Sequence, residues 1–364
     1  MKNKNNVVLL IAVITITVFG IMMIYSASAI WAEYKFHDQF KFLKMQSLFF
    51  FVGLIIMYIL SNIDYHIYER HSNKILLMCA ILLILVLIPG VGTIRNGSRS
   101  WFGIGGFGIQ PSEFSKIGLI IFVSKYLANN IKNIKNIKKG VFPILGIIFL
   151  FFILIMLEPD FGTGMVIVLT LVCLILISGV KLSFFVKIGV VGLLGIVGLI
   201  IAAPYRISRI MSFLNPWSDP LGSGYQILQS LYAIGPGGLL GKGFMQSRQK
   251  YFYLPEPQTD FIFSIISEEF GFLGVLIISY LFICIFYNAI KIALRTKDLF
   301  GKFLCFGLAI GIIIQALLNL AVTSGLIPVT GVTLPFLSYG GSSLLVSMAS
   351  IGIILNIFKN KSTK

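Results

Sequence analysis

Long apolar runs broken by short polar clusters dominate this chain. A spanning helix needs roughly 20 mainly apolar residues. Ten runs approach or exceed that length: 7–29, 42–60, 75–92, 113–129, 141–157, 163–179, 182–203, 261–290, 303–325 and 335–357. They predict an all-α, polytopic membrane protein with ten transmembrane helices, a single integral membrane domain over residues 1–364. The first run has leader-like features, since Lys2 and Lys4 precede it and Ser26 to Ala29 are small. Its apolar stretch outruns the usual leader core of about 7–15 residues, so it reads as a span.

Composition agrees with the pattern. Hydrophobic residues make up 57% of the 364 and charged residues only 12%, against about 45–50% and 25% in soluble domains. A soluble multi-domain enzyme and a disordered chain are both excluded. The four cysteines, Cys79, Cys173, Cys284 and Cys305, lie scattered in apolar runs with neither disulfide nor zinc spacing. His37, His66 and His71 form no motif.

The net charge of +16 is explained by topology. With both termini in the cytoplasm, 18 of the 29 basic residues and only three of the 13 acids, Asp64, Glu69 and Asp298, fall inside. Net charge is then +15 inside and +1 outside, as the positive-inside rule requires. No nucleic-acid partner is needed. The Lys-rich stretch 131–139 reads as an interfacial cytoplasmic loop among anionic headgroups. Carboxylate chemistry belongs to the outer face.

Three outer segments hold that chemistry. The longest, 204–260, separates the seventh and eighth spans and far exceeds ordinary connections. It carries Arg206, Arg209, Lys242, Arg248 and Lys250 beside Asp219, Glu256 and Asp260. Asp260 opens the eighth span and reads either as a helix cap or as a carboxylate held at the membrane surface to act as a base. Ser264, Ser267 and Gly271 form a small-residue stripe beyond it that admits a close neighbour, and Glu268 and Glu269 lie one to two turns deeper. Acids within a span face a partner or a cavity.

In the segment 93–112 and the fourth span that follows, Glu113 and Lys116 are i,i+3 neighbours. As a surface pair they would contribute a few tenths of a kcal/mol; alternatively Lys116 contacts an anionic ligand. Asp160, in the short turn 158–163, suits a cap, a polar cavity or a divalent-cation ligand. The string 338–343, with Ser338 and Ser342, reads as close packing or as a helix start offering N–H groups to an anion. Together these groups suit an amphiphilic anionic substrate.

Several strings, in order, resemble the shape, elongation, division and sporulation (SEDS) family of FtsW, RodA and SpoVE. They are Tyr25 to Ser28, Asn96 to Trp101, Gln110 to Phe114, Pro159 to Thr163, Asn215 to Trp217, Gly224 to Gln226, Tyr253 to Glu256, Thr259 to Phe261 and Pro335 to Ser343. The string Ser247 to Lys250 before Tyr253 is closer to SpoVE and FtsW than to RodA. Glu158 departs from the family, which usually has Gln there.

The resemblance implies a GT-C-like glycosyltransferase that polymerises lipid II into glycan strands outside the cytoplasmic membrane, for cell division or sporulation. It implies Asp260 as the essential carboxylate and Glu113 and Lys116 as functional positions. Asp160, Arg206, Arg248, Ser338 and Ser342 are further candidates for substrate contact. It also implies a class B penicillin-binding protein, a transpeptidase, as partner, with membrane lipids around it. The leaving pyrophosphate calls for cations, either Lys or Arg or a divalent cation such as magnesium or manganese, and no organic cofactor is expected. A lipid II flippase and a non-catalytic scaffold are the alternatives; the near absence of cytoplasmic acids disfavours the first.

Overall fold

A computed structural model describes residues 4–95, 98–104, 107–134, 136–201, 213–222 and 224–361. Helices α1 (Lys4–Phe36), α2 (Lys41–Leu60) and α3 (His66–Leu87) come first. A small antiparallel sheet follows, β1 (Thr93–Arg95), β2 (Ser98–Ile104) and β3 (Phe107–Ile109), in that spatial order. Then come α4 (Pro111–Asn130), a π-helical turn (Ile137–Val141) running into α5 (Phe142–Leu157), α6 (Phe161–Ile177) and α7 (Leu182–Ile201). The short α8 (Tyr225–Ile234) lies in the long loop, and α9 (Ile262–Arg295), α10 (Leu299–Thr323) and α11 (Gly341–Lys361) complete the chain.

Each of the ten apolar runs overlaps a helix, and among the described residues α8 is an additional α-helix. By length and composition, seven described segments qualify to cross a membrane. They lie in α1, α2, α3, α5 with its π turn, α9, α10 and α11. The α6 helix is shorter, at 17 residues, and α4 carries Glu113, Lys116 and Lys125.

Two boundaries moved for identifiable reasons. The α3 helix starts at His66, well before the apolar run, because its polar first turns are helical as well. It stops at Leu87 because Pro89 disfavours helix in the residue before it. The sheet between α3 and α4 was not expected; its strands are only three to seven residues long.

The core is made by α10 and α11, whose most apolar windows are 67% and 78% buried, against 22% for α2 and α3. The α10 helix packs on α4, α6 and α9, while α11 packs on α2. On the outer helices, Phe51, Ile55, Tyr58 and Leu77 stand exposed, as lipid-facing side chains do.

One break positions the site. Inside α9, Gly271 adopts φ 60° and ψ −157°, which favours glycine. The interruption leaves backbone groups that must find partners, and the loop 237–243 supplies them. Phe272 and Leu273 donate to the carbonyls of Gly238 and Leu239, and Lys242 and Gly243 donate to those of Glu268 and Glu269, all within 2.9–3.1 Å. A Cβ on Gly271 would sit 2.4 Å from the backbone N of Gly241. This is the close approach that the small-residue stripe anticipates, and it fastens the long loop to α9.

Candidate active site

The sequence places Gln110 and Pro111 at the start of α4, where the fixed φ of Pro suits the first turn. That start is tied to two other helix starts. Asp160 caps α6, accepting from the backbone N–H of Thr163 at 3.1 Å. Its second oxygen accepts from Gln110 Nε2 at 2.8 Å and Ser112 Oγ at 3.1 Å. Ser342 Oγ, in the first turn of α11, accepts the backbone N–H of Gln110 at 3.0 Å.

One turn into α4, Lys116 meets Glu113 at 2.7 Å. The pair is not the surface contact that the spacing alone suggested. Glu113 is 5% and Lys116 8% exposed, so each charge depends on its partner far more than a solvated pair does. Lys116 also donates to Gln315 Oε1 at 2.6 Å. That is its one hydrogen bond among the described residues, out of three N–H donors; the contact with Glu113 Oε2 is an ion pair without hydrogen-bond geometry. Lys116 further borders a small cavity walled by Ile120, Ile167, Leu171, Thr170 and Gly311.

Asp260 is not a helix cap. The α9 helix begins at Ile262, its capping position is Phe261, and no side chain caps it. The Asp260 turn is instead held through its backbone. Asn319 Nδ2 donates to the Asp260 carbonyl at 2.7 Å, and Ser338 Oγ donates to the carbonyl of Thr259 at 2.6 Å. Among the described residues nothing hydrogen-bonds or ion-pairs with the Asp260 carboxylate. Burial, then the nearby charges of Glu256 and Asp160, push its pKa up to about 7. A carboxylate with that pKa is suited to take a proton near neutral pH.

The segment leading into α11 is held by backbone contacts. The Gly340 N–H goes to Gln46 Oε1 at 3.2 Å, and the Tyr339 N–H goes to the Gln258 carbonyl at 2.8 Å. Ser338 therefore clamps the Asp260 turn, and Ser342 holds Gln110.

The two deep acids of α9 have partners in the long loop. Glu268 takes Lys242 and Ser247 Oγ, each at 2.5 Å, and the Arg248 N–H at 3.0 Å. Glu269 takes Lys250 at 3.2 Å and Ser26 Oγ at 2.6 Å. Arg248 thus contributes its backbone, while its side chain is exposed with no ion pair among the described residues. Arg206 lies outside the described residues.

Glu158 adds no charge. It is fully buried, neither carboxylate oxygen has a hydrogen-bond partner, and burial, helped by Asp160, pushes its pKa up to about 9. At neutral pH it is a neutral carboxylic acid, a near isostere of Gln.

Among the described residues, no three His, Cys, Asp or Glu side chains come together as a metal site. Asp160 is committed to its cap and to two donors of α4.

Sequence reasoning missed Gln110, Gln315 and Asn319. The signal for the last two was present: amides at i,i+4 within the apolar run 303–325 are costly unless they grip something.

The sequence family described as cell cycle protein, comprising FtsW, RodA and SpoVE, matches residues 6–363. Stage V sporulation protein E of Bacillus subtilis (strain 168) is 52% identical, covering 98% of this chain and 97% of that protein. A probable peptidoglycan glycosyltransferase FtsW of Geobacter sp. (strain M18) is 41% identical over 96% of this chain and 95% of its own. Among solved structures, a chain from work on structural coordination of polymerization and crosslinking by a peptidoglycan synthase complex superimposes with a TM-score of 0.80. It is 27% identical and covers 98% of both chains. The crystal structure of the rod shape determining protein RodA of Thermus thermophilus gives a TM-score of 0.71 at 26% identity, covering 97% of this chain and 96% of that one.

Proposed function

This chain belongs to the FtsW, RodA and SpoVE family of cell cycle proteins, and we propose that it is a peptidoglycan glycosyltransferase that polymerises lipid II at the outer face of the cytoplasmic membrane. The observation that carries the reading is the Asp260 carboxylate, free of partners among the described residues and with a pKa near 7, in a turn whose backbone is gripped by Asn319 and Ser338. The charge asymmetry, +15 on one side and +1 on the other, supports ten crossings with cytoplasmic termini and an outer-face position for this carboxylate.

The chemistry follows from the groups. The 4-hydroxyl of the acceptor's GlcNAc attacks the anomeric carbon of the donor's MurNAc. Asp260 takes the hydroxyl proton as the new C–O bond forms, and the bond to undecaprenyl pyrophosphate breaks with inversion. The leaving group departs as an anion and needs a cation rather than an acid. Lys116, whose ammonium has donors beyond its hydrogen bond to Gln315, is the group for that work. Gln110, Asp160, Ser338 and Ser342 hold the three helix starts and the Asp260 turn in register.

The likeness to a chain of a peptidoglycan synthase complex supports a class B penicillin-binding protein as partner, and the SpoVE likeness supports a role in sporulation or division. Purified protein, alone and with its transpeptidase, should convert labelled lipid II into glycan chains. A protein that moves lipid II across vesicles without joining it would instead be a flippase.

A further inference from the structure

Two amides, Gln315 and Asn319, stand one turn apart on the same face of α10, and both are almost fully buried. Gln315 receives the Lys116 ammonium at 2.6 Å. Its Nε2 donates to the Thr333 carbonyl at 3.0 Å, and Thr333 Oγ1 and Ser343 Oγ lie at 3.2 Å. Asn319 Nδ2 donates to the carbonyls of Asp260 and Val332, both at 2.7 Å. The gripped residues Val332 and Thr333 are adjacent, so the two amides and this dipeptide form one polar unit.

Lys116 belongs to α4 and Asp260 to the turn before α9, and each is fastened to this same unit. An amide can do this without adding charge between a cation and a base, which an acid or a lysine cannot. We propose that Gln315 and Asn319 are positioning residues that set the separation of the Lys116 ammonium and the Asp260 carboxylate during glycosyl transfer. The proposal rests on the roles assigned to those two groups above.

A purely structural seam is the competing reading. The polar face of α10 continues to Thr323, whose carbonyl accepts from Ser230 Oγ, itself 2.7 Å from Ser264 Oγ. Such a seam would hold helices together and affect activity only through the folded fraction. A positioning unit must instead act through Lys116.

The test is a kinetic double-mutant cycle on the full-length protein with lipid II. Gln315→Met, close in volume, should lower kcat by about tenfold or more while the KM for lipid II stays within about twofold. In a Lys116→Arg background the same change should cost less than about threefold, because the group that it positions is already displaced. Gln315→Glu retains an acceptor for Lys116 but loses the grip on Thr333, and should also lose kcat. Should neither variant be recovered folded, the cycle is run with Thr333→Val, which removes only the hydroxyl in contact with Gln315.

Unchanged kcat in folded protein overturns the proposal, and so does an equal loss in both backgrounds. Asp260→Asn is assayed alongside. If it polymerises, the reading of the site fails; if it is dead while the Gln315 variants behave as wild type, only the positioning role fails.

Discussion

Asn319 holds Asp260 by its backbone carbonyl, at 2.7 Å, and not by its carboxylate. A donor on the carboxylate would stabilise its charged form and lower its pKa. Gripping the main chain fixes the turn and leaves the proton affinity to burial and to neighbouring charge, which both act upward. The acid is held still without being quenched.

That arrangement sets a pH dependence. A base must be deprotonated, so polymerisation should rise with pH along an acid limb near 7. Glu256 is one of the charges raising that value. Glu256→Gln should therefore move the limb down by about half a pH unit, read from kcat/KM between pH 5.5 and 8.5. A limb that stays put or moves upward contradicts the assignment.

The buried pair on α4 calls for a paired substitution. Lys116→Ala alone strands Glu113 and should cost about 3–5 kcal/mol whatever the role of Lys116, so its inactivity would decide nothing. Glu113→Gln with Lys116→Met removes both charges at nearly constant volume and should melt close to wild type. We expect that double variant to fold and to lose polymerisation by about a hundredfold. Near-wild-type turnover would reduce the pair to packing.

Glu158 gives a stability prediction whose sign is fixed by linkage. Its folded pKa is about 9, against 4.5 when unperturbed. The folded protein keeps a proton that the unfolded chain releases, so stability falls as pH rises from about 4.5 to 9 and is flat above. Glu158→Gln removes this penalty. Its melting temperature should exceed that of wild type by several degrees at pH 8, on the order of a few kcal/mol, and the gap should narrow toward pH 5. An equal gap at both pH values contradicts a neutral, buried Glu158.

Topology is open to labelling on a background without the four native cysteines. A cysteine at Leu221, 89% exposed in the long loop, should react with an impermeant thiol reagent in intact cells. One at Asn136, in the Lys-rich loop, should react only after permeabilisation. Reversed labelling would put the Asp260 turn in the cytoplasm and remove the lipid II reading.

The sequence made the helices legible because a 20-residue apolar run has few other fates. It also brought out Asp260, Glu113, Lys116 and Asp160, since charges at the edges of such runs are conspicuous. Their partners were not legible. Whether Asp260 caps α9 turned on a one-residue shift in the helix start, which propensity does not resolve. Glu268 and Glu269 looked like candidates for chemistry, and only the fold shows Lys242 and Lys250 brought back to them. Glu158 reads as an added charge along the chain, yet burial makes it neutral. Gln315 and Asn319 carry no charge to attract notice, and their meaning lies wholly in contacts far apart in sequence.

One comparison bears on everything above: Asp260→Asn against wild type, each purified with its transpeptidase and given labelled lipid II at pH 8. Asn keeps the shape of the side chain and the backbone grip of Asn319 but cannot take the proton. We expect a folded variant that still binds its partner and makes no glycan chains. Chains formed at a rate near wild type would show that Asp260 is not the base.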